Sequence, residues 1–183
     1  FKMVNCHLGN GSSLSAVKNG KCQDTSMGLT PLCGVPMGTR SGDIDAAVVQ
    51  FICNKYGMSV DDCLNMLNKK SGVLAISGVS SDFRDLEDGQ AKGDENCILA
   101  LNKFFYEVAK YIGAYAAALN GVDVITFTAG VGENGPETRQ AICDYLAFMG
   151  VKLDAEANNC RGKERLISAP DSKVQVWVVP TNE

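Results

Sequence analysis

One arginine, two glycine-rich stretches and a few carboxylates carry whatever chemistry this chain can do. Arg40 sits in residues 24–45, DTSMGLTPLCGVPMGTRSGDID, between flexible glycines and the start of an expected helix. Ile44, Val48, Phe51 and Ile52 recur behind it at helical spacing, and Asp43 is placed to cap that helix. A bare cation at the positive end of a helix is unfavourable, so an anion lying between the two would make sense of the placement. A guanidinium suits a phosphoryl group, whose negative charge is spread over several oxygens. The plainer alternative is a loop arginine paired with Asp43 or Asp45, and the stretch alone leaves both open.

The first glycine-rich stretch is His7-Leu8-Gly9-Asn10-Gly11-Ser12. Two glycines let a backbone approach a ligand closely, and the amides and hydroxyls of Asn10, Gly11, Ser12 and Ser13 could cradle phosphate oxygens. It is not a Walker loop, because no G-K-[ST] is present and a strand is expected after it. An ordinary hairpin is the alternative. The second stretch, Gly130-Val131-Gly132-Glu133-Asn134-Gly135, follows an apolar run of strand length and precedes Pro136, well placed at the first position of a helix. It matches G-x-G-x-x-G, so a dinucleotide-binding reading has to be weighed. Glu133 would put a carboxylate in the pyrophosphate loop, which argues against that reading. A nucleotide whose sugar and base lie over the loop meets no such objection. Between the two stretches, Asp82-Phe83-Arg84 is expected to open a short helix capped by Asp82.

The elements that must position these residues follow in order. Residues 2–6, 13–17 and 21–25 read as strands, the last two joined by Asn19-Gly20, the dipeptide a tight primed turn prefers. Helices are expected over 43–55, 59–69 and 98–120, the last with a stripe of Leu101, Phe104 or Phe105, Val108, Ile112, Tyr115 and Leu119 that ends at Asn120-Gly121. Residues 88–96 are polar and read as a surface turn. Residues 122–128 and 174–179 read as further strands, with a helix from Pro136 to Gly150 between them. This order fits one mixed sheet of five strands with helices on both faces. Its opening with hairpin-linked strands is a second argument against a dinucleotide fold.

The 183 residues suffice for one domain, or one with a small insertion. A net charge of -4 and a pI near 5.1 argue against a nucleic-acid surface. The longest apolar run is too short to span a bilayer. Eight cysteines without a C-x-x-C pair read as reduced, mostly buried thiols of a cytoplasmic protein. With one histidine, His7, most metal and triad chemistries are excluded. The chain opens at Phe1 straight into a strand, with no signal peptide ahead of it, and stops after another, as a piece of a longer polypeptide would.

HLGNGSS, DTSMGLTPL, MGTRSGDID, SSDFRDLE, FTAGVGEN and PTNE, in this order and over all 183 residues, resemble the C-terminal nucleotide-binding domain of the acetate kinase family, within the superfamily of Hsp70 and actin. The resemblance implies an actin-like ATPase, ribonuclease H-like α/β domain. Its N-terminal partner domain and final helix are absent, and a small helical insertion lies near residues 57–95. It also implies transfer of the ATP γ-phosphate to acetate or a similar short carboxylate, with Mg²⁺, in a homodimer. His7, Leu8, Gly9, Asn10 and Gly11 would hold nucleotide phosphates. Asp82, Phe83 and Arg84, with Gly130, Val131, Gly132, Glu133 and Asn134, would hold adenosine. Arg40 matches the arginine that stabilises the transferred phosphoryl group, and Glu183 the carboxylate that positions magnesium. Cys33, Pro36 and Ala46 stand where the family usually has Glu, Met and Pro, all bearing on the stiffness of the Arg40 loop. A propionate kinase, a nucleotide-binding module without catalysis and a dehydrogenase fragment are the competing readings.

Overall fold

The computed structural model describes residues 1–182; Glu183, the expected magnesium carboxylate, lies outside the described residues. The chain divides into two compact units, residues 1–26 with 105 onward, and residues 27–104.

The first unit holds the sheet. β1 (Lys2–Leu8) pairs antiparallel with β2 (Ser12–Lys18), and β2 with β3 (Lys21–Thr25). Asn19 and Gly20 both take positive φ, 51° and 77°, as the primed hairpin turn requires. β1 pairs in parallel with β4 (Val124–Thr128), and β4 with β6 (Gln175–Val178). β5 (Arg165–Leu166) adds antiparallel to β6, so the order is β3-β2-β1-β4-β6-β5. The sheet is mixed, as expected, but has six strands where the pattern indicated five. The extra one is two exposed residues, too short to show any alternation.

Burial explains the order. Val4, Cys6 and Leu8 of β1 and Ser12, Leu14 and Ala16 of β2 are buried at every second position. All five residues of β4 are buried, which suits a strand flanked in parallel on both sides. β3 is exposed throughout and polar, which blunts the sheet edge. The helix α5 (Glu95–Ala118) crosses from one unit into the other; from its first-unit part Val108, Ile112 and Tyr115 are buried. It ends at Asn120 and Gly121, φ 54° and 111°, where the Gly121 amide donates to the Ala116 carbonyl at 2.7 Å. None of the helices among the described residues is long and apolar enough to cross a membrane.

The second unit is helical: α1 (Ala47–Tyr56), α2 (Val60–Lys69), α3 (Gly72–Ser77), α4 (Phe83–Ala91) and the start of α5. Ser59 caps α2, its hydroxyl accepting the Asp62 amide at 3.1 Å. α4 and α5 occupy most of the stretch expected as a surface turn. α1 begins later than expected and Asp43 does not cap it. The Asp43 carboxylate instead accepts the Gly34 amide at 2.8 Å and closes the preceding loop, while Asp45 accepts the Ala47 amide at 2.9 Å. The loop of Arg40 is thus not followed at once by a capped helix, since α1 starts only at Ala47. The apolar stripe of α1 is real but only partly covered among the described residues: no residue of the helix is buried, Ile52 is half-buried and Phe51 is 62% exposed.

Candidate functional site

The parallel pairing of β1 with β4 sets His7 beside Thr128, so the turn after β1 and the segment after β4 leave the sheet at the same end. His7 and Leu8 belong to β1, with Leu8 buried, and Gly9, Asn10 and Gly11 make the turn. The Gly9 amide donates to the Gly11 carbonyl at 3.1 Å, and the Ser12 hydroxyl donates to the Gly9 carbonyl at 3.0 Å. Asn10 and Gly11 are exposed. A Cβ on Gly9 would stand 3.7 Å from the Ala129 Cβ, so the structure brings the two glycine-rich stretches together.

The second stretch is not an open loop: Ala129–Asn134 form a short helix, α6, followed directly by α7 (Pro136–Asp144) with Pro136 in its first turn, as expected. Entry into α6 puts Ala129 at φ 64°, a left-handed conformation that a side chain disfavours. Its amide is held by the Glu133 carboxylate at 2.8 Å. Gly132 is buried and packs close to the end of β4: a Cβ there would meet the Phe127 carbonyl carbon at 3.4 Å, an ordinary contact. Gly130 and Asn134 are exposed, and the Asn134 side chain donates to the Gly130 carbonyl at 3.0 Å.

Sequence reasoning missed Arg139, the largest fully buried side chain. Its guanidinium donates to the Gly132 and Glu133 carbonyls at 2.8 and 3.0 Å, to the Asn158 side chain and carbonyl at 2.8 and 2.6 Å, and to the Cys160 carbonyl at 2.9 Å. Burial pulls its pKa below the ordinary value. A guanidinium nonetheless stays charged in a protein, and here its donors lie on the carbonyls that end α6, the negative end of that helix. One side chain thus fastens the glycine turn to α8 (Ala155–Asn158). An arginine at the fourth position of a helix gives no sign in sequence that it points inward.

In the second unit, the backbone around Arg40 is laced to the segment entering α3. Met37, Thr39 and Gly38 carbonyls accept the Val73, Ser71 and Leu74 amides at 2.9, 2.9 and 3.0 Å. Gly72, at φ 62°, fits against this loop only as glycine, since a Cβ would stand 2.1 Å from the Met37 carbonyl oxygen and 2.7 Å from that of Arg40. The half-buried Arg40 side chain places Nη1 3.4 Å from the Met37 thioether. A backbone held this firmly fixes where the guanidinium starts from.

Asp82 caps α4 as expected, accepting the Arg84 amide at 2.9 Å, and its two oxygens also take Arg84 Nε and Nη2 at 3.1 and 2.6 Å. Those hydrogen bonds from Arg84 hold the Asp82 carboxyl below its ordinary pKa. Phe83 is buried, its ring edge-on to Phe104 with centroids 4.7 Å apart, so its side chain belongs to the core. Asp82→Ala should lower stability by about 0.5–2 kcal/mol if capping is its whole role, and should also weaken ADP binding if the segment borders adenosine. Melting temperature and ADP affinity measured on the same variant decide between them. Because the folded carboxyl has the lower pKa, the contribution is present above the unfolded carboxylate range and fades as pH falls through the folded value.

A mixed α/β sheet with adjacent glycine turns at the ends of parallel strands is the architecture of the actin-like ATPases, and the chain shares it with solved acetate kinases. The model of the acetokinase family matches residues 1–183, and the chain belongs to that family. It is 62% identical to the acetate kinase of Thermoanaerobacterium thermosaccharolyticum over its whole length, covering 46% of that protein. The crystal structure of Porphyromonas gingivalis acetate kinase superposes with a TM-score of 0.96 at 49% identity, over 99% of this chain and 46% of that one. A propionate kinase from Francisella tularensis gives 0.93 at 42% identity, over 98% and 46%. The chain spans about half the length of these relatives.

Proposed function

We propose that this chain is the nucleotide-binding half of a kinase that transfers the γ-phosphoryl group of ATP to acetate, giving acetyl phosphate and ADP. The observation that carries the reading is the family match along the entire chain, together with the two glycine turns brought side by side at the ends of β1 and β4. In this reading the exposed turn amides of Asn10 and Gly11 receive phosphate oxygens, and the adenosine lies over α6. A loose phosphoryl-transfer transition state needs in-line positioning and charge neutralisation more than covalent help, and Arg40 supplies a planar cation for it.

Mg²⁺ keeps most of its ligands as water and phosphate oxygens, so one protein carboxylate is enough, and among the described residues there is no cluster of three or more metal-ligating side chains. Glu133 has its Oε1 engaged by the Ala129 amide and by the Thr181 amide and hydroxyl. By the family resemblance Glu183 is the proposed ligand, and the bound ion would neutralise charge on the phosphates. Eight free thiols, two of them exposed, support a reducing, cytoplasmic setting. The partly uncovered face of α1 supports assembly with further chain, and a homodimer is the proposed form.

The carboxylate pocket is assigned to the N-terminal half, which these residues do not include, so acetate is favoured over propionate only by the greater identity to acetate kinases. The 183-residue chain alone should be protected against thermal unfolding by ADP with Mg²⁺, not by nicotinamide mononucleotide, and should form no acyl phosphate. Protection by the nicotinamide nucleotide and not by ADP would favour the dehydrogenase reading. Acetate-dependent ATP consumption by the chain alone would mean that the active site has been misplaced.

A further inference from the structure

Three donors converge on one oxygen of Glu133. The Ala129 amide reaches Oε1 at 2.8 Å from the left-handed residue that starts α6, and the Thr181 amide and hydroxyl reach it at 2.8 and 3.1 Å from the segment after β6. The backbone carbonyl of the same residue accepts Arg139 Nη1 at 3.0 Å and the Gly162 amide at 3.2 Å. The three bonds to the carboxylate all fall on Oε1, and each bond to a charged acceptor is stronger than a neutral one, so that oxygen is firmly anchored.

We infer that Glu133 is a positioning residue, a latch that ties the start of the glycine turn to Thr181 through Oε1. The inference rests on the reading of α6 as the adenosine-binding turn. It assigns the strain at Ala129 a cause, because a left-handed alanine persists only where surrounding contacts hold it. It also means that the start of α6 and the segment after β6 are held by one side chain.

The test compares Glu133→Ala, Glu133→Gln and Thr181→Val with the parent chain, reading amide hydrogen exchange at Ala129 and Thr181 together with ADP affinity. Glu133→Ala should speed exchange at both amides and weaken ADP binding by about tenfold or more, the equivalent of one lost charged hydrogen bond. Glu133→Gln keeps an accepting oxygen and should stay within about threefold of the parent in both readouts. Thr181→Val, which touches no ligand in this account, should weaken ADP by about threefold and speed exchange at Ala129. It also keeps the test decisive should Glu133→Ala fail to fold. Weaker ADP binding in Glu133→Ala with both amides still protected, or a Thr181→Val variant unchanged in both readouts, would overturn the latch and make the carboxylate a ligand contact. Loss of amide protection in a chain that binds no ADP even as the parent would uphold the latch and remove the adenosine reading.

Discussion

Arg40→Ala, made in a protein that joins this chain to the N-terminal half its relatives carry, should depress kcat by at least about a hundredfold while raising the KM for ATP far less. Arginines that stabilise the charge developing on a transferred phosphoryl group are worth roughly 10³–10⁵ in rate in other enzymes, so the figure is cautious. The asymmetry matters more than the size, since a guanidinium aimed at the transition state adds little to ground-state binding. Arg40→Lys should recover only part of the rate, because an ammonium keeps the charge and loses the planar fork. The structure sharpens this expectation. The loop carrying Arg40 is bonded through Met37, Gly38 and Thr39 to the start of α3, so the side-chain substitution should leave the melting temperature nearly unchanged. An Arg40→Ala enzyme with near-normal kcat and a lower melting temperature would instead support the surface-pair reading. Steady-state kinetics and calorimetry on the same preparation supply both numbers.

Arg139→Met should be the most destabilising of the substitutions considered. It removes the donors from four backbone carbonyls and the Asn158 amide oxygen, all at a fully buried position, and methionine fills the volume without replacing any of them. Each buried acceptor left unsatisfied is worth about 1–3 kcal/mol, although Glu133 keeps the Gly162 amide as a second partner. A loss of about 3 kcal/mol or more is expected, which in a chain of this size lowers the melting temperature by roughly 6–12 °C. Arg139→Lys should recover a minority of it, as one ammonium cannot span acceptors on both α6 and the segment after α8. Thermal unfolding followed by circular dichroism checks the size. A shift of only a degree or two would mean that the guanidinium's desolvation nearly cancels its hydrogen bonds, as happens for some buried ionic groups.

Much of this architecture was legible because its signals are local. Asn19-Gly20 demanded a primed turn, Asp82 a cap and Pro136 a helix start, and each is where the backbone needed that residue. The sheet followed from alternation in β1 and β2 and the continuous apolar run of β4. What could not be read depends on contacts distant in sequence. Asp43 had every local qualification of a cap, but the Gly34 amide claimed its carboxylate. Gly130 and Gly132 argue against helix by propensity, yet Arg139 on the Gly132 and Glu133 carbonyls and the Glu133 carboxylate on the Ala129 amide close a helical turn. The stripe of Ile44, Val48 and Phe51 announced an apolar face without saying what covers it, and among the described residues these three stay exposed. The candidate site divides the same way: the glycine turns and Arg40 stood out by residue type, whereas Arg139, an ordinary helical arginine by pattern, did not.

The central claim is that these residues form the nucleotide half of an acetate-phosphorylating kinase, and turnover after completion with the N-terminal half of an acetate kinase relative tests it most directly. With ATP and Mg²⁺, the completed protein should form acetyl phosphate and ADP in equal amounts, faster with acetate than with propionate, and at no detectable rate when either half is left out. A completed, folded protein that binds ADP but forms no acyl phosphate from either acid would contradict the account and leave a nucleotide-binding module without catalysis.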